Sequence, residues 1–180
     1  MMQAIEKVLI TEEELQKKVS ELAAQISSDY EGKDLVLVSI LKGVFVFAAD
    51  LCRAIKIPAA IDFMAVSSYG ASSKSSGVVK IIKDLDKPIE GKDILIVEDI
   101  LDSGITLSYL KELLIQRGVS SLKICTILNK PSRRQANIQP DYLGFDIPDE
   151  FVVGYGLDYD EKYRNLPFVG ILKREIYENE

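Results

Sequence analysis

The chain has 180 residues, 47% of them hydrophobic and 28% charged, with a formal net charge of −6 and no histidine. The length allows one domain with a sizeable core, and the acidic balance argues against a broad nucleic-acid surface, which needs many lysines and arginines. Without histidine, Ser-His-Asp and Cys-His chemistry and histidine-ligated zinc are excluded, so acid–base work falls to Asp, Glu, Lys or Tyr.

In chain order, Thr11 with Glu14 three residues later reads as a capping box. Leu15, Val19, Leu22, Ala23 and Ile26 then recur at helical spacing and predict an amphipathic helix. Residues 35–40 form a short, continuously apolar run of the kind expected for a strand covered on both faces. Gly43 breaks it, residues 44–55 read as a helix and 61–66 as the next strand. Residues 67–77 are small and polar, and a strand-like run, 78–82, follows.

A second very apolar strand is expected at 93–97. An acidic cluster comes next, then a helix over 106–116 with Gly118 as its cap. Residues 122–128 repeat the strand pattern, Pro131 begins a turn, and Phe145, 151–153 and 169–172 suggest short terminal strands. Strands alternating with helices imply right-handed βαβ units and a mainly parallel sheet, an α/β fold. In such sheets ligands bind beyond the carboxyl ends of the strands. Cys52 and Cys125, far apart in apolar segments, read as reduced packing residues. No apolar run approaches the length of a membrane span, and the expected location is the cytoplasm.

The most informative stretch runs from Val97 to Thr106. Glu98, Asp99 and Asp102 place three carboxylates within five residues, a crowding that is costly without positive charge or hydrogen bonds to offset it. Ser103, Gly104 and Thr106 then open a helix, offering exposed N–H groups, hydroxyls and the positive dipole end to a phosphate. An ordinary helix cap at Asp102 or Ser103 would leave the acids merely solvated. Acid cluster and phosphate cradle together fit a ligand that carries both hydroxyls and phosphate.

This stretch resembles the phosphoribosyl-pyrophosphate loop of type I phosphoribosyltransferases: an apolar strand, two acids, two apolar residues, then Asp-Ser-Gly-x-Thr. The resemblance implies that Glu98 and Asp99 address ribose hydroxyls and magnesium, and that Ser103, Gly104, Ile105 and Thr106 hold the 5′-phosphate. Many members carry Thr where Ser103 stands, and the hydroxyl is kept.

Four further segments are similar to the hypoxanthine-guanine members. Leu41-Lys42-Gly43 resembles their pyrophosphate loop, where the peptide before the lysine can be cis. Ser67, Ser68, Tyr69 and Gly70, with Ser75, Ser76 and Gly77, resemble the mobile lid, about 67–78, in which Ser68 and Tyr69 are the expected contact residues. Lys130 matches the lysine that meets the 6-oxygen of the base. The segment 151–159 with 163–167 resembles the carboxy-terminal purine site.

In that segment the likeness implies that Phe151 stacks on the base and Val152 reads its edge through the backbone. Asp158 would help to place a second magnesium, and Arg164 would meet pyrophosphate. Ile100 is expected beside the base, and Asp102 as the general base at N7. The fold implied is the type I phosphoribosyltransferase fold, its central sheet flanked by helices: one domain with a core at about 35–135 and a small hood from about 1–10 and 140–180. The activity implied is magnesium-dependent transfer of phosphoribosyl to hypoxanthine or guanine, with xanthine a further candidate, by a homodimer or homotetramer.

Readings from other classes are a phosphoribosyl-pyrophosphate-sensing regulator on the same fold and a pyrimidine transferase. The acidic pI of about 4.9 and the purine segment speak against them. A P-loop nucleotide binder lacks the Gly-x-x-x-x-Gly-Lys spacing.

Overall fold

The computed structural model describes residues 1–68 and 79–178. The elements follow in the order β1 (Ile5–Ile10), α1 (Glu12–Asp29), β2 (Leu35–Leu41), α2 (Phe45–Ala54), β3 (Ala60–Ser68), β4 (Val79–Lys83) and β5 (Asp93–Leu101). Then come α3 (Ile105–Gln116), β6 (Ser121–Asn129), β7 (Tyr142–Asp146), β8 (Val152–Val153), β9 (Val169–Leu172) and the short α4 (Arg174–Tyr177).

Six strands form the central sheet in the order β4-β3-β2-β5-β6-β7. All neighbours are parallel except β3 and β4. Period-two alternation divides the central strands between two cores. Leu35, Leu37, Leu95 and Val97 face the layer of α1 and α2, while Val36, Val38, Ile94 and Ile96 face α3. Burial on both faces is why β2 and β5 read as unbroken apolar runs.

The capping box starts α1 as expected. Thr11 Oγ1 accepts from the Glu14 N–H at 3.3 Å, and the Thr11 N–H donates to Glu14 Oε2 at 2.8 Å. Leu15, Val19, Leu22, Ala23 and Ile26 are the buried stripe of that helix.

Two elements differ from the sequence expectation. β5 does not stop at Val97: Glu98, Ile100 and Leu101 stay in register with Thr126, Leu128 and Asn129 of β6. The acids therefore lie on a strand, because pairing with a well-formed neighbour overrides the poor strand propensity of Glu and Asp. The segment at Tyr142–Asp146, expected in the terminal hood, instead joins the central sheet parallel to β6. The hood itself is a separate antiparallel sheet, β1-β9-β8, closed over a small core of Ala4, Ile5, Val153, Leu166 and Leu172.

From β2 the chain builds outward through β3 and β4, then returns to the other side of β2 with β5. The strand order thus reverses between β2 and β5, and a crevice is expected at their carboxyl ends. The residues found there are Lys42 and Gly43 on one side and Glu98 to Thr106 on the other.

Candidate active site

A cleft of about 340 Å³ opens at this switch point, walled by Leu41, Lys42 and Gly43 and by most of the segment from Glu98 to Leu107. The Leu41–Lys42 peptide is cis. Gly43 is dictated by what faces it: a Cβ there would lie 1.7 Å from Asp99 Oδ2. With glycine there the loop after β2 closes onto the acid of β5; any side chain would force the Asp99 carboxylate to move.

Asp99 is buried and its Oδ1 accepts from the Ile100 N–H at 2.7 Å; Glu98 beside it is half-buried by exposed area. Burial pushes both carboxyls up from their ordinary range; for Glu98 the neighbouring Asp99 charge adds to the rise. Among the described residues no lysine or arginine hydrogen-bonds or ion-pairs with either acid. Two adjacent acids that disfavour ionisation, with the Arg164 charge acting on Asp99 but no cation among the described residues hydrogen-bonded to either, fit a divalent ion, which would favour their ionised forms. The described residues hold no cluster of three potential metal ligands. Asp158, the third expected ligand, stands apart from the pair. Its Oδ1 is 3.0 Å from an Arg164 guanidinium nitrogen and its Oδ2 accepts from the Glu161 N–H at 2.9 Å.

Asp102 follows β5 with one side-chain oxygen, Oδ1, buried and without a hydrogen-bond partner. An orphaned acceptor of this kind is costly in a finished core and normal at a site that awaits a donor. Next to it, Gly104 caps α3 in the left-handed conformation, φ 78°, and Ser103 Oγ accepts weakly from the Ile105 N–H at 3.4 Å. The turn leaves the first N–H groups of α3 facing the cleft that Ser103, Gly104 and Thr106 line.

Arg134, which the sequence reading passed over, holds this loop from behind. Its Nε donates to the Asp102 carbonyl at 3.0 Å, and its guanidinium also reaches the Asn129 side chain and the carbonyls of Leu101 and Ile138. The Ser103 carbonyl accepts from the Gln135 and Ala136 N–H groups. The loop after β5 is thereby tied to the chain after β6.

Apart from Ile100, the expected purine residues lie outside the wall of this cleft. Lys130 is buried and donates from Nζ to the Glu150 carbonyl at 2.7 Å; burial lowers its pKa. Its own N–H donates to the Leu101 carbonyl at 2.9 Å, which brings it beside the acid loop. Ile100 does line the cleft. Phe151 keeps 37% of its surface exposed, stacks on Tyr177 with ring centroids 4.9 Å apart, and meets the Tyr159 ring edge-on at 5.6 Å. Val152 is buried in β8, and the Phe151 carbonyl accepts from the Leu172 N–H at 2.8 Å.

Arg164 donates to the Gly156 carbonyl at 2.9 Å. Lys42 Nζ binds both oxygens of Glu161 at 3.1 and 3.2 Å and holds that carboxyl below its usual range. Ser68 ends β3, but its side chain and the whole of Tyr69 lie outside the described residues, as does most of the expected lid.

The comparison that decides the family is direct: the model of the phosphoribosyl transferase domain matches residues 9–160. The chain belongs to the phosphoribosyltransferases. Its relatives narrow the branch. It is 58% identical over 175 residues to the hypoxanthine-guanine phosphoribosyltransferase of Bacillus subtilis (strain 168), covering 97% of each chain. It is 52% identical over 180 residues to the enzyme of the same name from Mycobacterium tuberculosis, covering 97% of this chain and 89% of that one. A crystal structure of a hypoxanthine phosphoribosyltransferase from Staphylococcus aureus superposes with a TM-score of 0.97 at 55% identity, over 99% of this chain and 97% of that one. These likenesses put the phosphoribosyltransferase in the hypoxanthine-guanine branch of the type I fold, and its chemistry is that of an enzyme of purine salvage.

Proposed function

We propose that this phosphoribosyltransferase uses magnesium to transfer the phosphoribosyl group of phosphoribosyl pyrophosphate to hypoxanthine or guanine, with xanthine as a third candidate. The observation that carries the mechanism is the buried, unpartnered Oδ1 of Asp102 beside the left-handed cap of α3. It joins a proton acceptor to a phosphate cradle in one cleft.

Ser103, Gly104, Ile105 and Thr106 bind the 5′-phosphate at the start of α3. Glu98 and Asp99 take the ribose hydroxyls and would hold magnesium, with Asp158 serving a second ion. When bound, the metal supplies positive charge against the oxygens of the leaving pyrophosphate. Lys42 and Arg164 add fixed charge on the same side, and the Gly43 backbone closes over it.

As the ribose–pyrophosphate bond breaks, positive charge develops on the ribose, and the nearby carboxylates favour it. Asp102 takes the proton from the purine as its ring nitrogen attacks. Phe151 stacks on the base, Ile100 flanks it and the Val152 backbone reads its edge. Lys130 Nζ, an obligate donor, pairs with the 6-oxygen of an oxopurine and has nothing to offer an amino group there. Its hydrogen bond to the Glu150 carbonyl aims it.

We further read the enzyme as a cytoplasmic homodimer or homotetramer. Both cysteines are free, in keeping with a reducing compartment, and among the described residues no helix is long and apolar enough to cross a membrane.

Pyrophosphate release should be measured with phosphoribosyl pyrophosphate and magnesium, and separately with hypoxanthine, guanine, xanthine, adenine and uracil. Turnover with a 6-oxopurine that stops on chelation is expected. Adenine or uracil as the best substrate would defeat the reading.

A further inference from the structure

The two cations assigned to pyrophosphate are both engaged by one carboxylate. Lys42 Nζ lies 3.1 and 3.2 Å from the oxygens of Glu161, and the Arg164 guanidinium lies 3.4 Å from Glu161 Oε1. Lys42 and Glu161 are 119 residues apart in sequence, so this contact is a product of the fold. We propose that Glu161 is an internal stand-in for pyrophosphate, competing with the substrate and product anion for Lys42 and Arg164. The proposal rests on the reading of those two side chains as the pyrophosphate contacts.

The backbone around Glu161 is shaped for this position. Tyr155, Asp160, Glu161 and Tyr163 all have positive φ, between 50° and 74°, a region that non-glycine residues seldom occupy. Such conformations persist only where surrounding contacts hold them, and they gather at ligand clamps and switches. Here the contacts are specific. Asp158 Oδ2 accepts from the Glu161 N–H, and the Arg164 guanidinium bridges Asp158, Glu161 and the Gly156 carbonyl. Gly156 abuts the pyrophosphate loop so closely that a Cβ would lie 2.0 Å from the Gly43 carbonyl oxygen. The turn carrying Glu161 is thus fastened to the loop carrying Lys42.

Fold stability is a poor explanation for this arrangement. The Lys42 and Glu161 side chains are 69% and 65% exposed, and ion pairs so well solvated contribute little. Weakness is what a placeholder needs. A single carboxylate that is mostly solvated yields to pyrophosphate, which brings more charge and more oxygens to the same two cations. When pyrophosphate is the product, Glu161 is at hand to take the cations back. The apparent affinity for either anion is then lowered by the fraction of molecules in which Glu161 holds the site.

The test is calorimetric titration of magnesium pyrophosphate, and of phosphoribosyl pyrophosphate, into the wild type, Glu161→Gln and Asp160→Asn. The last variant removes the same charge one residue away, at a carboxylate that pairs with Lys162 instead. Glu161→Gln should bind both ligands about two- to fivefold more tightly, the range set by an exposed pair, and Asp160→Asn should match the wild type. Unchanged or weaker binding by Glu161→Gln would mean that Glu161 only orients Lys42, and equal tightening in Asp160→Asn would reduce the effect to net charge; either overturns the proposal. Failure of all three proteins to bind pyrophosphate would overturn the reading of Lys42 and Arg164, and this inference with it.

Discussion

On one side of the cleft, Glu98 and Asp99 stand at the end of a central strand, with Asp102 in the loop that follows, held from below by the sheet and from behind by Arg134. Among the described residues no lysine or arginine pairs with Glu98 or Asp99, and Asp102 keeps a buried oxygen without a partner. On the other side, Lys42 lines the cleft, and Asp158, Glu161 and Arg164 cluster beside it on a loop, the four neutralising one another. On the acid side no cation among the described residues is hydrogen-bonded to Glu98 or Asp99, though the Arg164 charge reaches Asp99; the cationic side is paired within itself. The difference suggests how binding is divided. On the proposed function, a ligand bringing a divalent cation would complete the first wall, and its phosphates would displace the internal anion of the second.

The largest expected effect falls on the acid wall. Asp102→Asn keeps the shape and removes the proton acceptor, so kcat should fall by roughly 10²–10⁴ with thermal stability unchanged. Near-normal turnover would take Asp102 out of the role of base. Next comes Lys130→Met, which keeps the length of the side chain and removes a charged donor. A fall of about 10- to 100-fold in kcat/KM for hypoxanthine is expected, with no change in the KM of phosphoribosyl pyrophosphate. An equal loss in both substrates would show Lys130 to be structural.

The fold was legible where the signal is local. The capping box of α1, the unbroken apolar runs of β2 and β5 and the run Asp102-Ser103-Gly104 all lie within a few residues of what they determine. The strand character of Glu98 to Leu101 was not legible, because acids read as loop until a neighbouring strand supplies the pairing. Nor could five residues, Tyr142–Asp146, declare which of two sheets they would join. Arg134, Glu161 and Tyr177 were missed for a shared reason. Each acts on a residue far away in sequence, and a lone arginine, glutamate or tyrosine has no local pattern that marks it. Phe151 was singled out in the sequence, while the ring stacked on it, Tyr177, was not.

That ring gives the third prediction. Tyr177 stacks on Phe151 at 4.9 Å with planes 26° apart, so on the proposed function it supports the ring that meets the base. Tyr177→Ala should raise the KM for the purine by about two- to tenfold, the worth of an aromatic pair, and leave the KM of phosphoribosyl pyrophosphate alone. A change in the latter only would break the assignment of this region to the base.

The smallest effect lies outside both walls. Arg117 grips Asp84 with two bonds of 2.8 Å and holds its carboxyl below the usual range. A carboxyl with a folded pKa below its unfolded value, near 3.9, stabilises above that pH and loses its contribution as pH falls through the folded value. Since both side chains are partly exposed, the gain is about 1 kcal/mol or less. Arg117→Ala should shift the acid unfolding edge slightly upward in pH and leave activity at neutral pH unchanged. A loss of activity there would mean that the far end of the sheet communicates with the cleft.

The most direct measurement is the affinity for phosphoribosyl pyrophosphate with magnesium and with chelator, read by calorimetry without any purine. If the acid wall requires a cation to accept the ligand, removing magnesium should weaken binding by about tenfold or more. Equal affinity under the two conditions would contradict the account of Glu98 and Asp99 as its metal-holding half.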